Sequence, residues 1–280
     1  MRLGVMFDRD LPPEDLVPFA RVLEALPGVH DLWVVEDLGW TGGISSAATA
    51  LAATARLRVG IGITPAPLRS PMLLAMELAN LARLHPGRLA AGIGHGVPAW
   101  MAQAGVAPPS PLALLEETIT VVRALLRGER VTLQGRSVNL DGLALVHPPD
   151  QVPPVLAGVL RPRSLALSGR VAQGTILPEG FGPDRLPAVL DQIGADGDHE
   201  LVTFTHLYVG DDAAEVTRPI RQEYTEFLNV APEEVSMAAG SAGEAAAQVK
   251  GLWSAGARTV VVRPVGTDPL TQVTHLLAAL

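Results

Sequence analysis

Short apolar runs alternate with longer segments of helical periodicity along almost the whole chain. Arg2–Phe7 reads as a strand, and the following Glu14–Leu26 has apolar residues three and four positions apart, which is typical of an amphipathic helix. The same pairing recurs and predicts eight strands, each followed by helix. The other predicted strands are Leu32–Val35, Leu57–Ile63, Arg88–Gly96, Val155–Val159, Thr175–Leu177, Leu201–Val209 and Thr259–Arg263.

Helical segments follow each of these runs, and two follow the seventh strand. The regular alternation breaks at ERVTLQGRSVNLDG, where two short alternating runs flank Gln134 and Gly135 and predict a β-hairpin. The predicted helices after the first are Ile44–Ala55, Met72–Leu84, Leu112–Leu126, Arg163–Ala172, Asp184–Ile193, Ala213–Phe227, Gly243–Ala255 and Pro269–Leu280.

Many of the strands are apolar at both alternating positions, as expected for a parallel sheet that is covered on both faces. Eight strand–helix units in 280 residues without a long linker favour a (β/α)8 TIM barrel with a β-hairpin insertion. A doubly wound open sheet is the structural alternative. We expect a single domain over residues 1–280.

Composition narrows the classes of function. The formal net charge is −8, so the chain lacks the basic excess that usually accompanies nucleic-acid binding. The absence of cysteine excludes thiolate nucleophiles and disulfides. No apolar run reaches the length needed to span a bilayer and no signal peptide is recognisable, so we expect a cytoplasmic protein. Only 18% of residues are charged, and the apolar surplus reflects either a subunit interface or alanine-rich helices. We expect a homodimer.

Ligands of a TIM barrel lie at the C-terminal ends of its strands. The fourth strand ends in GIGHG, whose glycines allow close backbone approach and whose amides suit an anion. Arg163 and Ser164 stand where the next helix begins, and Glu36 and Asp37 end the second strand. Each motif also has a structural interpretation: a glycine-rich turn, a solvated arginine, or a carboxylate that caps the next segment. The histidines lack metal-binding spacing, and His206 is interpreted as a hydrogen-bonded core histidine.

The accumulated pattern resembles the bacterial luciferase-like flavin and deazaflavin oxidoreductases, in particular the branch similar to methylenetetrahydromethanopterin reductase, which uses coenzyme F420. The stretch LRVGIGITPAPLRSP, followed by LLAMELANLARLHPGRLAAGIGHG, carries the most specific likeness. LWVVED, LLEETITVVRALLRGERVTLQGRSVNL and PPVLAGVLRPRSLALSGRVAQGTIL resemble further units of that family.

The resemblance implies a function and a set of site residues. The chain would transfer a hydride between F420 and an organic small molecule; an FMN-dependent monooxygenase and a barrel that binds a partner without catalysis are the alternatives. The third strand would end in a bulge, often with a cis peptide bond, here Gly62–Ile63. Cofactor-binding positions would be Phe7, Gly62, Ile63, Thr64, Gly94, His95, Gly96, Val97, Gly158, Val159, Leu160, Arg163 and Ser164, with Trp40, Trp100 and Met101 at the substrate mouth.

One departure from the family pattern concerns the proton donor. Many F420-dependent relatives have Asp-His where this chain has Glu36 and Asp37, so the usual histidine acid is absent. The resemblance therefore makes Asp37 and Glu36 the catalytic candidates. A carboxylic acid needs a raised pKa to donate a proton near neutral pH.

Overall fold

The structure is a computed structural model that describes residues 1–195, 197–266 and 268–280. Its strands are β1 Arg2–Met6, β2 Asp31–Val34, β3 Arg58–Pro65, β4 Leu89–Gly94, β5 Val131–Gln134, β6 Asn139–Leu143, β7 Val155–Gly158, β8 Gly174–Leu177, β9 Glu200–Val209, β10 Ala238–Gly240 and β11 Thr259–Pro264. Its helices are α1 Leu16–Ala25, α2 Gly43–Ala53, α3 Pro71–Leu84, α4 Pro98–Gln103, α5 Pro111–Leu126, α6 Pro162–Val171, α7 Leu186–Ile193, α8 Ala213–Leu228, α9 Ala242–Ser254 and α10 Pro269–Leu277.

Within the described residues, eight parallel strands close into a barrel in the order β1-β2-β3-β4-β7-β8-β9-β11, and β11 pairs with β1. The prediction of a (β/α)8 TIM barrel is confirmed, and the open-sheet alternative is wrong. The predicted hairpin is also present: β5 and β6 pair antiparallel between α5 and β7. Two short elements were not predicted, namely α4 and β10, which extends the sheet beside the end of β9. None of the helices in the described residues is long and apolar enough to cross a bilayer.

Glycines make room for large side chains inside the barrel. Trp33 is fully buried there and lies edge-on to Phe204, with ring centroids 5.5 Å apart. A Cβ at Gly60 would stand 2.3 Å from the Trp33 ring, and one at Gly4 would stand 2.8 Å from it. The flanking strands therefore need glycine, because the indole fills the space a side chain would take.

The bottom of the barrel, at the N-terminal ends of the strands, contains a buried ionic cluster. Asp31, with no exposed surface, accepts hydrogen bonds from Arg2 and Arg58 at 2.7 Å each. The Arg58 guanidinium also donates to Glu200 at 2.7 Å, and Thr259 Oγ1 donates to Glu200 at 2.8 Å. Burial opposes the charge on Arg58, but its carboxylate partners outweigh this and raise its pKa. The cluster ties β1, β2, β3, β9 and β11 together below the core.

Candidate functional site

Side-chain alternation along the strands determines which residues face the mouth of the barrel. Met6, Phe204 and Val261 belong to the core inside the barrel. Residues two positions further along each strand share that face, because successive side chains alternate between the two faces. Two positions beyond Met6, Phe204 and Val261 stand Asp8, His206 and Arg263, and two positions beyond Val35, just after β2, stands Asp37.

One side of the mouth is lined by polar residues in mutual contact, here named the polar wall: Asp8, Glu179, His206, Tyr224 and Arg263. Arg263 donates to Asp8 at 2.6 Å and to Glu179 at 3.4 Å. The Tyr224 hydroxyl, carried by α8, donates to Glu179 at 3.0 Å, and the Tyr224 ring packs edge-on against His206 at 4.9 Å. The wall thus joins residues from β9, β11, α8 and the loops after β1 and β8.

Burial and charge set the protonation of the polar wall. Burial lowers the pKa of His206 to about 4, with Arg263 acting in the same direction and Glu179 and Asp8 in the opposite one. The pKa of Glu179 is lowered despite its burial, because in acid the protonated His206 ring, and at all pH values Arg263, stabilise its negative charge. The His206 ring is therefore neutral and Glu179 charged near pH 7. The expected hydrogen-bonded core histidine is not what is found, since His206 Nδ1 has no hydrogen-bond partner among the described residues.

The buried His206 predicts a loss of stability in mild acid. The unfolded chain binds a proton at this histidine near pH 6.5, whereas the folded protein binds it only near pH 4. The free energy of unfolding should therefore fall as pH decreases from about 6.5 to about 4, by about 3 kcal/mol from this residue. Urea unfolding measures the free energy of unfolding of the wild type and of His206→Gln at several pH values in this range. The free energy should change less steeply with pH in the variant. The surface variant His275→Gln should keep the wild-type slope, and equal slopes for wild type and His206→Gln would contradict the prediction.

The opposite side of the mouth has few side chains and is here named the glycine ledge: Ile63, Gly92, Gly94 and Gly158. The peptide bond between Gly62 and Ile63 is cis, as the resemblance implies, and the β3–β4 register shifts between Ile61 and Thr64. The Ile63 side chain rests on the three glycines, where added Cβ atoms would stand 2.3–3.2 Å from it. Gly92 and Gly94 of GIGHG thus have a packing role, and the ledge presents one apolar side chain over backbone without Cβ atoms.

Two turns at the edge of the glycine ledge meet through one hydrogen bond. His95, after β4, and Ser164, in the first turn of α6, are 3.2 Å apart between Nε2 and Oγ. In the described part of the chain, no protein acceptor is bound by the amides of His95, Gly96, Val97, Leu160, Arg161 and Arg163. Backbone amides without protein acceptors near the start of a helix attract anions.

The other predicted members of these turns have different surroundings. The Val159 amide is already bonded to the Ile176 carbonyl at 3.2 Å, and Thr64 is buried. The Phe7 ring packs against Phe19 of α1, outside the barrel wall, at 5.4 Å between centroids. Phe7 could therefore line a ring pocket only through its backbone. Their contacts with a cofactor stay predictions.

The acidic pair at the end of β2 divides between the two faces of the strand. Glu36 points outward, where Arg69 binds both carboxylate oxygens and the Gly43 amide donates to it at 2.9 Å. Asp37 points to the mouth and pairs with Arg9 at 2.6 Å. Arg69 comes from the proline-rich exit of β3, so this segment positions Glu36. The geometry favours Asp37 over Glu36 as the residue that meets a ligand.

The predicted substrate residues Trp40 and Trp100 lie together, with ring centroids 5.8 Å apart. Arg9 stands over the Trp40 ring at 4.5 Å, and Trp40 Nε1 donates to Asp10 at 2.9 Å. Met101 is buried, and its terminal atoms are 3.0 Å from where a Cβ on Gly96 would stand. Met101 therefore packs beneath the turn of His95, Gly96 and Val97, here named the amide turn. The two tryptophans flank the mouth.

Sequence reasoning did not select Arg9, Tyr224 or Arg263, and it discounted His206. For Asp8, His206 and Arg263 a signal was present: each stands two positions beyond an inward-facing apolar residue of its strand. Tyr224 has no such signal, because a helix brings it to the mouth. Within the described residues, no group of three or more histidines and carboxylates is arranged to hold a metal ion.

A closed barrel with free backbone amides, a glycine ledge and a polar wall at one mouth is typical of enzymes that bind a cofactor there. The sequence profile of the luciferase-like monooxygenases matches residues 1–272, and the chain belongs to this family of enzymes.

The chain is similar in sequence to two curated relatives and in fold to one solved structure. A 5,10-methylenetetrahydromethanopterin reductase of Methanolobus tindarius is 26% identical over 70% of this chain and 59% of its own length. An F420-dependent glucose-6-phosphate dehydrogenase of Beutenbergia cavernae is 30% identical over 70% of this chain and 62% of its own. The chain thus spans about three-fifths of these relatives' lengths. The F420-dependent tetrahydromethanopterin reductase structure from Methanopyrus kandleri has the same fold, with 19% identity, a TM-score of 0.83 and coverage of 98% and 96% of the two chains.

Proposed function

We propose that the protein is an oxidoreductase that transfers a hydride between coenzyme F420 and an organic small molecule. The observation that carries this proposal is the glycine ledge beside two turns whose amides lack protein acceptors. The curated relatives named above, which use F420 or reduce methylenetetrahydromethanopterin, support it.

The residues present fit such a cofactor. Ile63 on its glycines offers a flat apolar support for a tricyclic ring, and the amides around His95 and Leu160 suit its phosphate. The exposed Arg161 and Arg163 add positive charge at the same edge. When bound, F420 supplies the hydride chemistry, which side chains of this chain do not provide.

The chain itself would orient the two reactants and handle the proton. Asp37 reaches the mouth and, of the two predicted catalytic residues, is the one available to a substrate. Arg9 holds its carboxylate at 2.6 Å, which would fix its position beside a bound substrate. The tryptophan pair beside it would exclude water from the substrate.

An FMN-dependent monooxygenase is the second candidate, supported by the name of the family to which the chain belongs. Both cofactors share a tricyclic ring and a phosphate, so the ledge and the turns suit either. Titration with F420 and with FMN, followed by quenching of each cofactor's own fluorescence, distinguishes the two. Binding of neither would favour the third possibility, a barrel that binds a partner without catalysis.

The amide turn gives a specific prediction for cofactor affinity. Gly96 has φ of +70°, and a Cβ there would stand 3.0 Å from both Met101 and Pro65. Gly96→Ala should displace the turn and weaken F420 binding by at least about tenfold, equivalent to about 1.4 kcal/mol. The measurement is the dissociation constant from fluorescence quenching.

Gly105→Ala is the matched control for this change. Gly105 has a similar φ of +71° but nothing within 4 Å of an added Cβ. Its substitution carries the same conformational strain without displacing the turn, so F420 affinity should stay within about twofold of wild type. Equal affinities for wild type and Gly96→Ala would contradict the assignment of this turn.

A further inference from the structure

The two arginines that face the mouth on the substrate side are both held by carboxylates. Arg263 binds Asp8 and Glu179, and Arg9 binds Asp37. The shortest contact in each set is 2.6 Å, which is the length of a strong charge-assisted hydrogen bond. A guanidinium so engaged has little positive potential left for an anionic ligand.

Carboxylates outnumber cations on this side of the mouth. Asp8, Asp37 and Glu179 hold the two arginines, and Asp10 accepts a hydrogen bond from Trp40 instead of pairing with a cation in the described structure. Four carboxylates therefore surround two guanidinium groups. A phosphate that enters here must displace a carboxylate or approach an excess of negative charge, and like-charge contacts oppose binding strongly.

Aromatic rings flank the same opening on two sides. Trp40 is 43% exposed beside Trp100, and Phe227 of α8 is 48% exposed beside Tyr224, at 5.8 Å between centroids. Exposed aromatic rings at a concave site favour flat, apolar ligands that stack on them. The surface between the polar wall and the tryptophan pair thus combines aromatic contact with negative charge.

Positive charge lies instead at the cofactor edge. Arg161 and Arg163 are exposed at the start of α6, beside the amide turns, and Arg161 also donates to the Phe227 carbonyl at 3.5 Å. Within the described residues, the arginines at the start of α6 have no carboxylate partner, whereas Arg9 and Arg263 on the substrate side are paired. This difference matters because one of the curated relatives acts on glucose 6-phosphate, a substrate with two negative charges near neutral pH.

We infer that the substrate of this enzyme is an aromatic compound without anionic groups and that the mouth rejects phosphorylated substrates. Paired Arg9 and Arg263 are the specificity determinants, because their carboxylate partners neutralise the charges that a phosphate would need. The inference rests on the proposed function and identifies its substrate class.

Calorimetric titration of the F420-loaded protein tests the substrate class directly. The probes are cinnamaldehyde, 2-naphthaldehyde and menadione, which are neutral, against glucose 6-phosphate and glucose. At least one neutral aromatic probe should bind at least about tenfold more tightly than glucose 6-phosphate. Glucose 6-phosphate binding as tightly as the best aromatic probe, or no binding by any of the three, would overturn the inference.

The same titrations on cofactor-free protein separate the two proposals. Failure of F420 to bind would contradict the proposed function, whereas the preference for neutral aromatic probes would still be measurable on the barrel alone. Binding of F420 together with tight binding of glucose 6-phosphate would leave the function standing and overturn the substrate class.

Removal of the carboxylate partner of Arg9 tests whether this pairing is the reason that the mouth rejects phosphate. Asp37→Asn removes the partner of Arg9 and should raise the affinity for glucose 6-phosphate by about tenfold. Asp10→Asn removes the same charge nearby without freeing Arg9, so its effect should be no more than about twofold. The double variant Arg9→Gln/Asp37→Asn should not show this increase in affinity for glucose 6-phosphate. An unchanged affinity in Asp37→Asn, with an unaltered circular dichroism spectrum, would contradict the role of the pair.

Discussion

Gly92→Ala should prevent formation of the native barrel or destabilise it by more than about 4 kcal/mol. An added Cβ at this position would stand 2.2 Å from the carbonyl oxygen of Ile61 and 2.6 Å from the side chain of Ile176. The first contact is with backbone, which cannot rotate away as a side chain can. Because β3 and β4 pair on both sides of this point, relief requires the two strands to separate. Overpacking against fixed backbone belongs to the most destabilising kinds of substitution.

Urea unfolding followed by circular dichroism measures this effect, with Gly243→Ala as the control. Gly243 lies in α9 and has nothing within 4 Å of an added Cβ, so alanine there should be neutral or stabilise by up to about 1 kcal/mol. If the free energy of unfolding of Gly92→Ala were within about 1 kcal/mol of the wild-type value, β3 and β4 would not approach each other so closely.

Arg58→Met should destabilise the protein by about 3–5 kcal/mol. The change leaves Glu200 with only Thr259 as a donor, and Asp31 with Arg2 alone, inside the bottom of the barrel. Removal of one partner from a buried ionic cluster leaves uncompensated charge in a medium of low dielectric constant, and this is costly whatever the net contribution of the intact cluster. Methionine keeps most of the apolar stem, so the loss reflects charge more than packing.

The matched control is Arg127→Met, which removes one member of a pair in which both side chains are about half exposed. Arg127 binds Glu129 at 2.6 Å, but exposed pairs contribute little to stability, and the expected change is below about 1 kcal/mol. Both variants are compared by urea unfolding at pH 7. If both variants lost less than about 1 kcal/mol in free energy of unfolding, water would have to reach the Arg58 cluster.

Hydrophobic periodicity predicted the barrel well because its strands are buried on both faces. Runs such as Val155–Val159 and Thr259–Arg263 stand out as apolar stretches between helical segments, and every predicted barrel strand is present. The elements that were not predicted are short: β10 is Ala-Ala-Gly, and α4 is a helix of six residues. Neither is long enough to show a period, and β10 exists only because it pairs with the end of β9.

Prediction of the site was weaker for a reason visible at Glu36 and Asp37. Adjacent carboxylates are chemically alike, but strand alternation sends one outward to Arg69 and the other to the mouth beside Arg9. Arg69 is 33 positions from Glu36, and no local sequence pattern predicts that the two residues pair. The polar wall shows the same limitation, because its members come from five distant segments and only their joint geometry makes them a unit.

By itself the sequence determined the alternation of strands and helices, the family likeness and the glycine-rich strand ends, because these depend on local periodicity and on the backbone freedom of single residues. Only the tertiary structure decided which charges neutralise one another at the mouth and which glycines face another side chain. Electrostatic pairing and close packing act through space, between residues that the chain separates by tens or hundreds of positions.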